Sequence, residues 1–187
     1  MPKNWEQWNG KRTLKADRIV WLLTEPKVAR FLSYRGLRIT GAKIEDKLDL
    51  EYATVSVPLI FDACVFTEEL VLEKSKLRGL QLNGTHVHKG INAFEIQVED
   101  SVELSKGFVS QGGVVNLIGA SIGGTLDCSN GQFINPGKIA ISADGAKITD
   151  SVFLCNGFQA EGEVSFLGAS IGGSSTVVMV SSSIRVK

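Results

Sequence analysis

The chain of 187 residues has no surplus of either charge: Lys and Arg number 20, Asp and Glu number 20, and the formal net charge is zero. A general nucleic-acid binder shows a basic surplus and an acidic mimic of DNA the opposite, so this balance argues against both. Long apolar runs are missing too. The longest, at 19–23 and 177–180, fall far short of the ~18 residues of a membrane-spanning helix. The opening MPKNWEQW lacks the apolar stretch of a secretory leader. Cysteine is limited to Cys64, Cys128 and Cys155, odd in number and far apart. That excludes a disulfide framework and fits free thiols in a reducing compartment. Together these absences predict a cytoplasmic protein that does not enter membranes. Aromatic residues are scarce at 7%, while 43% apolar and 21% charged residues suffice for a buried core. The length predicts one domain with a small appendage.

The chain opens on a polar lead-in. Residues 1–12 hold two tryptophans and little else apolar, which predicts a loosely held segment. From Thr13 the pattern changes, with Leu14, Ile19, Val20, Leu22 and Leu23 set among Lys15, Asp17 and Arg18. Thr13 suits an N-cap, and Pro26 ends the run because proline disfavours helix in the residue before it. The spacing predicts an amphipathic helix over 14–24. Residues 1–36 thus read as a lead-in and capping helix, and 37–187 as a region of different rhythm.

In that second region short apolar-x-apolar pairs recur: Leu37/Ile39, Ala42/Ile44, Leu48/Leu50, Ala53/Val55, Pro58/Ile60 and Ala63/Val65. Their second members advance mostly by five, and after a slip near residue 70 the count resumes at Leu72, Leu77, Leu82 and Val87. Helices would space apolar residues by three or four, and sandwich strands would alternate for longer before a turn. Longer copies lie on top. DSVELSKGF at 100–108 returns as DSVFLCNGF at 150–158, and VNLIGASIGG at 115–124 as VSFLGASIGG at 164–173. Gly-Ala-x-Ile stands at 41–44, 119–122, 145–148 and 168–171. A unit of about 20–26 residues means a solenoid, in which each coil buries its apolar side only against its neighbours. Four short strands fit one coil, with Leu, Ile, Val, Phe or Cys inward and Ala, Gly or Ser at corners. Coils stacked in parallel at ~4.8 Å predict about seven coils. Asn-Gly pairs at 83–84, 130–131 and 156–157 suit corners of positive φ.

The fives rhythm, with a small residue two places before a central apolar one as in Ala53-Thr54-Val55 and Ala63-Cys64-Val65, resembles the pentapeptide-repeat proteins. The stretches GASIGGTLDCS at 119–129 and GFQAEGEVSFLGASIGG at 157–173 are similar to uncharacterised bacterial proteins with the same degenerate repeat. The resemblance spans about 37–175. It implies an all-β, right-handed parallel β-helix of quadrilateral section, and it names one function known among relatives, the protection of topoisomerases by a DNA-mimicking rod. Longer loops at 70–72, 88–104 and 133–139 depart from the tight pattern.

Candidate site residues are few. His86 and His88 flank Val87 on a strand, so both imidazoles are expected outward and solvated, and a metal site would need a third ligand from an adjacent coil. Asp49 and Asp127 read as equivalent repeat positions. Stacked carboxylates would suit a carbohydrate-active β-helix enzyme, but Phe153 follows Asp127 in the next coil and breaks the ladder. Asp144 and Asp150 read as turn-closing. Cys128, aligned with Leu50 and Leu154, reads as an inert inward residue, and Cys64 and Cys155 as outward thiols without a base. The Gly-Gly pairs 123–124 and 172–173 lack the Lys-Ser/Thr of a phosphate loop. Six-residue β-helix acyltransferases do not fit a rhythm of five. The expectation is a non-enzymatic binding or scaffolding solenoid with no catalytic, cofactor or metal residues. Its partner is a protein, nucleic acid is disfavoured, and an apolar C-terminal segment around 174–186 predicts a homodimer through the last coil.

Overall fold

The computed structural model describes residues 4–8 and 10–173. From Leu37 onward the chain winds into a parallel β-solenoid of about six turns, each with four short strands, so that four faces run along its length. Face 1 stacks Leu37–Thr40, Leu59–Asp62, Leu80–Gln81, Val102–Glu103, Leu126–Asp127 and Val152–Phe153. Face 2 runs from Lys43–Glu45 through Val65–Phe66, His86–His88 and Val109–Gln111. Face 3 runs from Leu48–Asp49 through Leu70–Val71, Ile91–Asn92 and Val115–Asn116. The long strands Gln132–Ser142 and Gln159–Ser165 then join faces 2 and 3 across their corner. Face 4 stacks Thr54–Val55, Lys76–Leu77, Gln97–Val98, Ser121–Ile122, Lys147–Ile148 and Ser170–Ile171. All of these pairings are parallel.

The described residues hold about six turns, where the seven expected spread coils of similar length over a region that runs on to residue 187, past the described part. Ile39 stands opposite Phe61, and the same register carries on through Leu82, Leu104, Cys128 and Leu154. Inward residues accordingly alternate steps of five and six: Ile39, Ile44, Leu50, Val55, Phe61, Phe66, Leu72 and Leu77. A strict count of five drifts out of phase by residue 60. It points Ile60 and Val65 inward, whereas Phe61 and Phe66 fill the core there, their rings 5.0 Å apart. Corners are tight. Ser75, Ala120 and Ala146 are buried at the turn into face 4, and the glycines of all four Gly-Ala-x-Ile copies take φ between 64° and 68°. Gly131 makes room in another way. A Cβ there would lie 2.8 Å from Phe133, whose ring packs 5.4 Å from both Phe108 and Phe158.

The N-terminal region closes the first coil. Helix α1 (Ala16–Thr24) buries Ala16, Ile19 and Leu23 against it. Glu25 ends α1, and Pro26 opens a second short helix, α2 (Pro26–Ala29). Thr13 does not cap α1. Instead β1 (Thr13–Lys15) adds a parallel strand to face 2 alongside Lys43–Glu45, and Lys15 reaches Glu45 and Asp46 at 3.2 and 3.1 Å. The open edge of face 2 supplies unpaired backbone groups, and pairing them outweighs the one cap bond Thr13 would make. The dimer expected through 174–186 falls outside the described residues.

Candidate binding surfaces

His86 and His88 do turn away from the core, with Val87 fully buried between them. They are not freely solvated, however: His86 is buried and His88 half-buried. Trp5, in the lead-in expected to be loose, lies 6.5 Å edge-on from His86 and 5.3 Å from His88, and the imidazoles stack 4.3 Å apart. On face 2, His86 stands in register between Val65 and Val109, and all three are buried. An outward Val-His-Val column is an apolar stripe, and an indole makes a flat lid for it. Both ring nitrogens of His86 and Nε2 of His88 are buried without a hydrogen-bond partner among the described residues. Burial, and then the neighbouring His88, push the His86 pKa down to about 4, with Gln111 pulling the other way. Burial lowers His88 as well.

These shifts set a pH dependence. Unfolded histidine takes up its proton near pH 6.5, and folded His86 only near 4. The unfolded chain therefore binds more protons between those values. Stability is full above about 6.5 and falls as pH drops through that window. Melting temperatures measured from neutral pH down to pH 4 should decline, and His86→Val should flatten the decline because valine continues the apolar column. Identical profiles for the two proteins would show that His86 does not carry it.

The acidic residues separate. Asp49 lies on face 3 beside Val71, and Asp127 on face 1 between Glu103 and Phe153, so the two are not equivalent. The first Gly-Ala-x-Ile copy enters face 2 and the others face 4, which is why matching letters did not mean matching places. Each aspartate closes a corner: Asp49 accepts the Glu51 N–H at 3.1 Å, and Asp127 the Ser129 N–H at 2.8 Å. Lys47, 2.8 Å away, holds the Asp49 carboxyl below its usual range. Asp144 ties two coils by accepting the Leu167 N–H at 2.8 Å and the Ser165 hydroxyl. The Asp150 N–H donates to the Gly124 carbonyl at 3.1 Å.

Cys128 is buried in register with Leu104 and Leu154, not with Leu50, which belongs to face 3, and burial pushes its thiol up. Cys64 faces inward, not outward as its place beside Val65 suggests. It is buried in the core, donates to the Ile39 carbonyl at 3.3 Å, and burial raises its pKa to about 11. Ala63, at φ 51°, turns the chain so that Cys64 faces in. Cys155 is half-buried, 3.2 Å from the Ser129 hydroxyl. Gly123 and Gly172 are needed for close stacking, since a Cβ would lie 2.1 Å from the Glu99 carbonyl oxygen and 2.2 Å from that of Thr149.

Two grooves stand out among the described residues. A groove of about 750 Å³ runs along face 4, lined by Thr54, Ser56, Lys76, Arg78, Gln97, Glu99, Ser121, Lys147 and Thr149 among others. Strand alternation sends these side chains outward, and Lys76, Arg78 and Lys147 make no ion pair with the described residues. A second groove of about 560 Å³ lies at the N-terminal end, with Lys11, Arg12 and Arg38 in its wall.

The zero net charge conceals a strong segregation. Residues 10–38 hold eight Lys or Arg against two Asp or Glu, a balance of +6. Residues 39–173 hold nine against seventeen, a balance of −8. The molecule therefore has a cationic end and an anionic body. A whole-chain total hides this, whereas a count in windows exposes it. Among the described residues no group of three or more His, Cys, Asp or Glu is placed to hold a metal ion. Compared with known proteins, the chain matches no family model, no curated protein and no solved structure.

Proposed function

We propose that the protein is a non-enzymatic, pentapeptide-repeat-like solenoid that binds a protein partner, and that face 4 is the surface it uses. Lys76, Arg78 and Lys147, without an ion pair among the described residues, lie along one open groove and carry this reading. Lys76 and Arg78 stand on one coil and Lys147 lies three rungs on in register with Lys76, fixed points on a rigid sheet that suit an extended acidic segment lying across the coils. Short Ser, Thr and Gln side chains between them leave the backbone of such a segment room to approach. The test is retention of protein from the native cell extract on immobilised wild type and on the triple variant Lys76→Glu, Arg78→Glu, Lys147→Glu. A protein held by the first and lost by the second supports the reading. Equal retention, or none on either, ends it.

The anionic body favours a second reading, the topoisomerase-protecting DNA mimic, which the total charge had argued against. Addition of the purified protein to a supercoiling reaction tests it directly, and an unchanged rate would remove it.

A further inference from the structure

The large apolar side chains left exposed gather mainly in two places. Trp21, Phe31 and Tyr34 lie on the N-terminal cap, at 58, 77 and 77% exposure. Tyr52, Ile118 and Leu167 lie along the corner between faces 3 and 4, at 64, 36 and 67%. Ladder bonds fix that corner as one column, since the Tyr52 N–H donates to Glu73 O, Glu95 N–H to Ile118 O, and Gly145 N–H to Leu167 O. The two patches carry opposite charge. On the cap the Arg30 guanidinium lies 4.8 Å over Phe31, and that of Arg35 lies 5.8 Å over Tyr34. Neither forms an ion pair among the described residues. The corner carries Glu51, Glu73 and Glu95, and its lysine, Lys74, is already held 4.0 Å from two of them.

We propose that the cap of one copy docks on the acidic corner between faces 3 and 4 of a second copy. Arginine-backed aromatics meet apolar side chains spaced among carboxylates, so buried area and charge complement each other in one contact. The charge balance of +6 against −8 on the same chain makes a second copy the partner of matching chemistry. Cap and corner are different surfaces, so the contact is heterologous. It leaves a free cap at one end and a free corner at the other, and it grows rather than closing at two. Salt weakens it, because exposed charges are screened within ~10 Å at moderate ionic strength.

Light scattering and sedimentation on the full chain test this. At low ionic strength the weight-average mass should rise past that of a dimer as concentration increases, and return to the monomer value in high salt. Arg30→Glu with Arg35→Glu should stay monomeric under the same conditions, and so should Glu51→Lys with Glu95→Lys. All four positions are exposed, and a wild-type circular dichroism spectrum checks that each variant is folded. Mixing the two variants should restore association, because each supplies the surface the other has lost. Four results would overturn the proposal: a monomer at every concentration, a mass that stops at the dimer, a cap-reversed variant that associates like wild type, or a mixture that stays monomeric. Binding of the cap to duplex DNA or to anionic vesicles while the protein stays monomeric would also overturn it.

Discussion

Leu126→Asp should leave the protein without a cooperative fold. Leu126 lies on face 1 in register between Val102 and Val152, and all three are buried. Removing the leucine side chain costs about 2–5 kcal/mol, and an uncompensated buried carboxylate adds several more. That sum is of the order of the whole stability of a domain, about 5–15 kcal/mol. A solenoid holds together by nearest-neighbour contacts, so a failed turn in mid-array also parts the coils on either side. Leu154→Asp should behave alike, for Leu154 fills the next turn of the same core. Phe153→Asp is the control. Phe153 points outward and is half-buried beside Asp127, so the change should cost about 1–2 kcal/mol, mostly lost packing and like-charge repulsion across one rung. Thermal unfolding followed by circular dichroism separates them. A Leu154→Asp variant as stable as wild type would mean that the inward register of face 1 is wrong.

Those registers were legible where the sequence repeats itself closely. The copies at 115–124 and 164–173 fall on faces 3 and 4 two turns apart, and the last three Gly-Ala-x-Ile motifs stack directly on face 4. Earlier in the chain the count failed, because a side of the solenoid takes five residues or six according to how its corner turns. Apolar residues occupy both faces of some strands, as with Leu59, Ile60 and Phe61, so alternation alone does not say which is inside. The site was less legible than the fold for a related reason. His86 and His88 were placed on the correct side of their strand, but their cover comes from Trp5, some eighty residues away, and no local pattern signals that contact. Cap and body charges cancel in the total, and only the fold shows that they occupy different surfaces. The aromatics at 31 and 34 look like ordinary apolar weight in a sequence until the fold leaves them exposed on the cap.

Gly113→Ala should be among the most damaging of conservative substitutions. A Cβ at Gly113 would lie 2.1 Å from the Lys89 carbonyl oxygen, 2.3 Å from its carbon and 2.7 Å from the Gly90 nitrogen. These are backbone atoms of the coil below, held by ladder bonds such as Lys89 N–H to Gln111 O and Ile91 N–H to Val114 O, both 2.9 Å. Neither strand yields without parting the coils at the corner between faces 2 and 3. The cost is that of strained or broken ladder bonds over several residues, about 3–5 kcal/mol. Gly145→Ala separates this cause from the other reason for glycine. Gly145 has φ 65°, and a Cβ there would meet nothing within 4 Å, so alanine carries only the left-handed backbone penalty, about 1–2 kcal/mol. Denaturant unfolding of both variants should show the larger loss at Gly113, although its φ needs no glycine. If Gly113→Ala unfolds with wild type while Gly145→Ala is weakened, the coils at that corner are not packed as closely as the 2.1 Å approach requires.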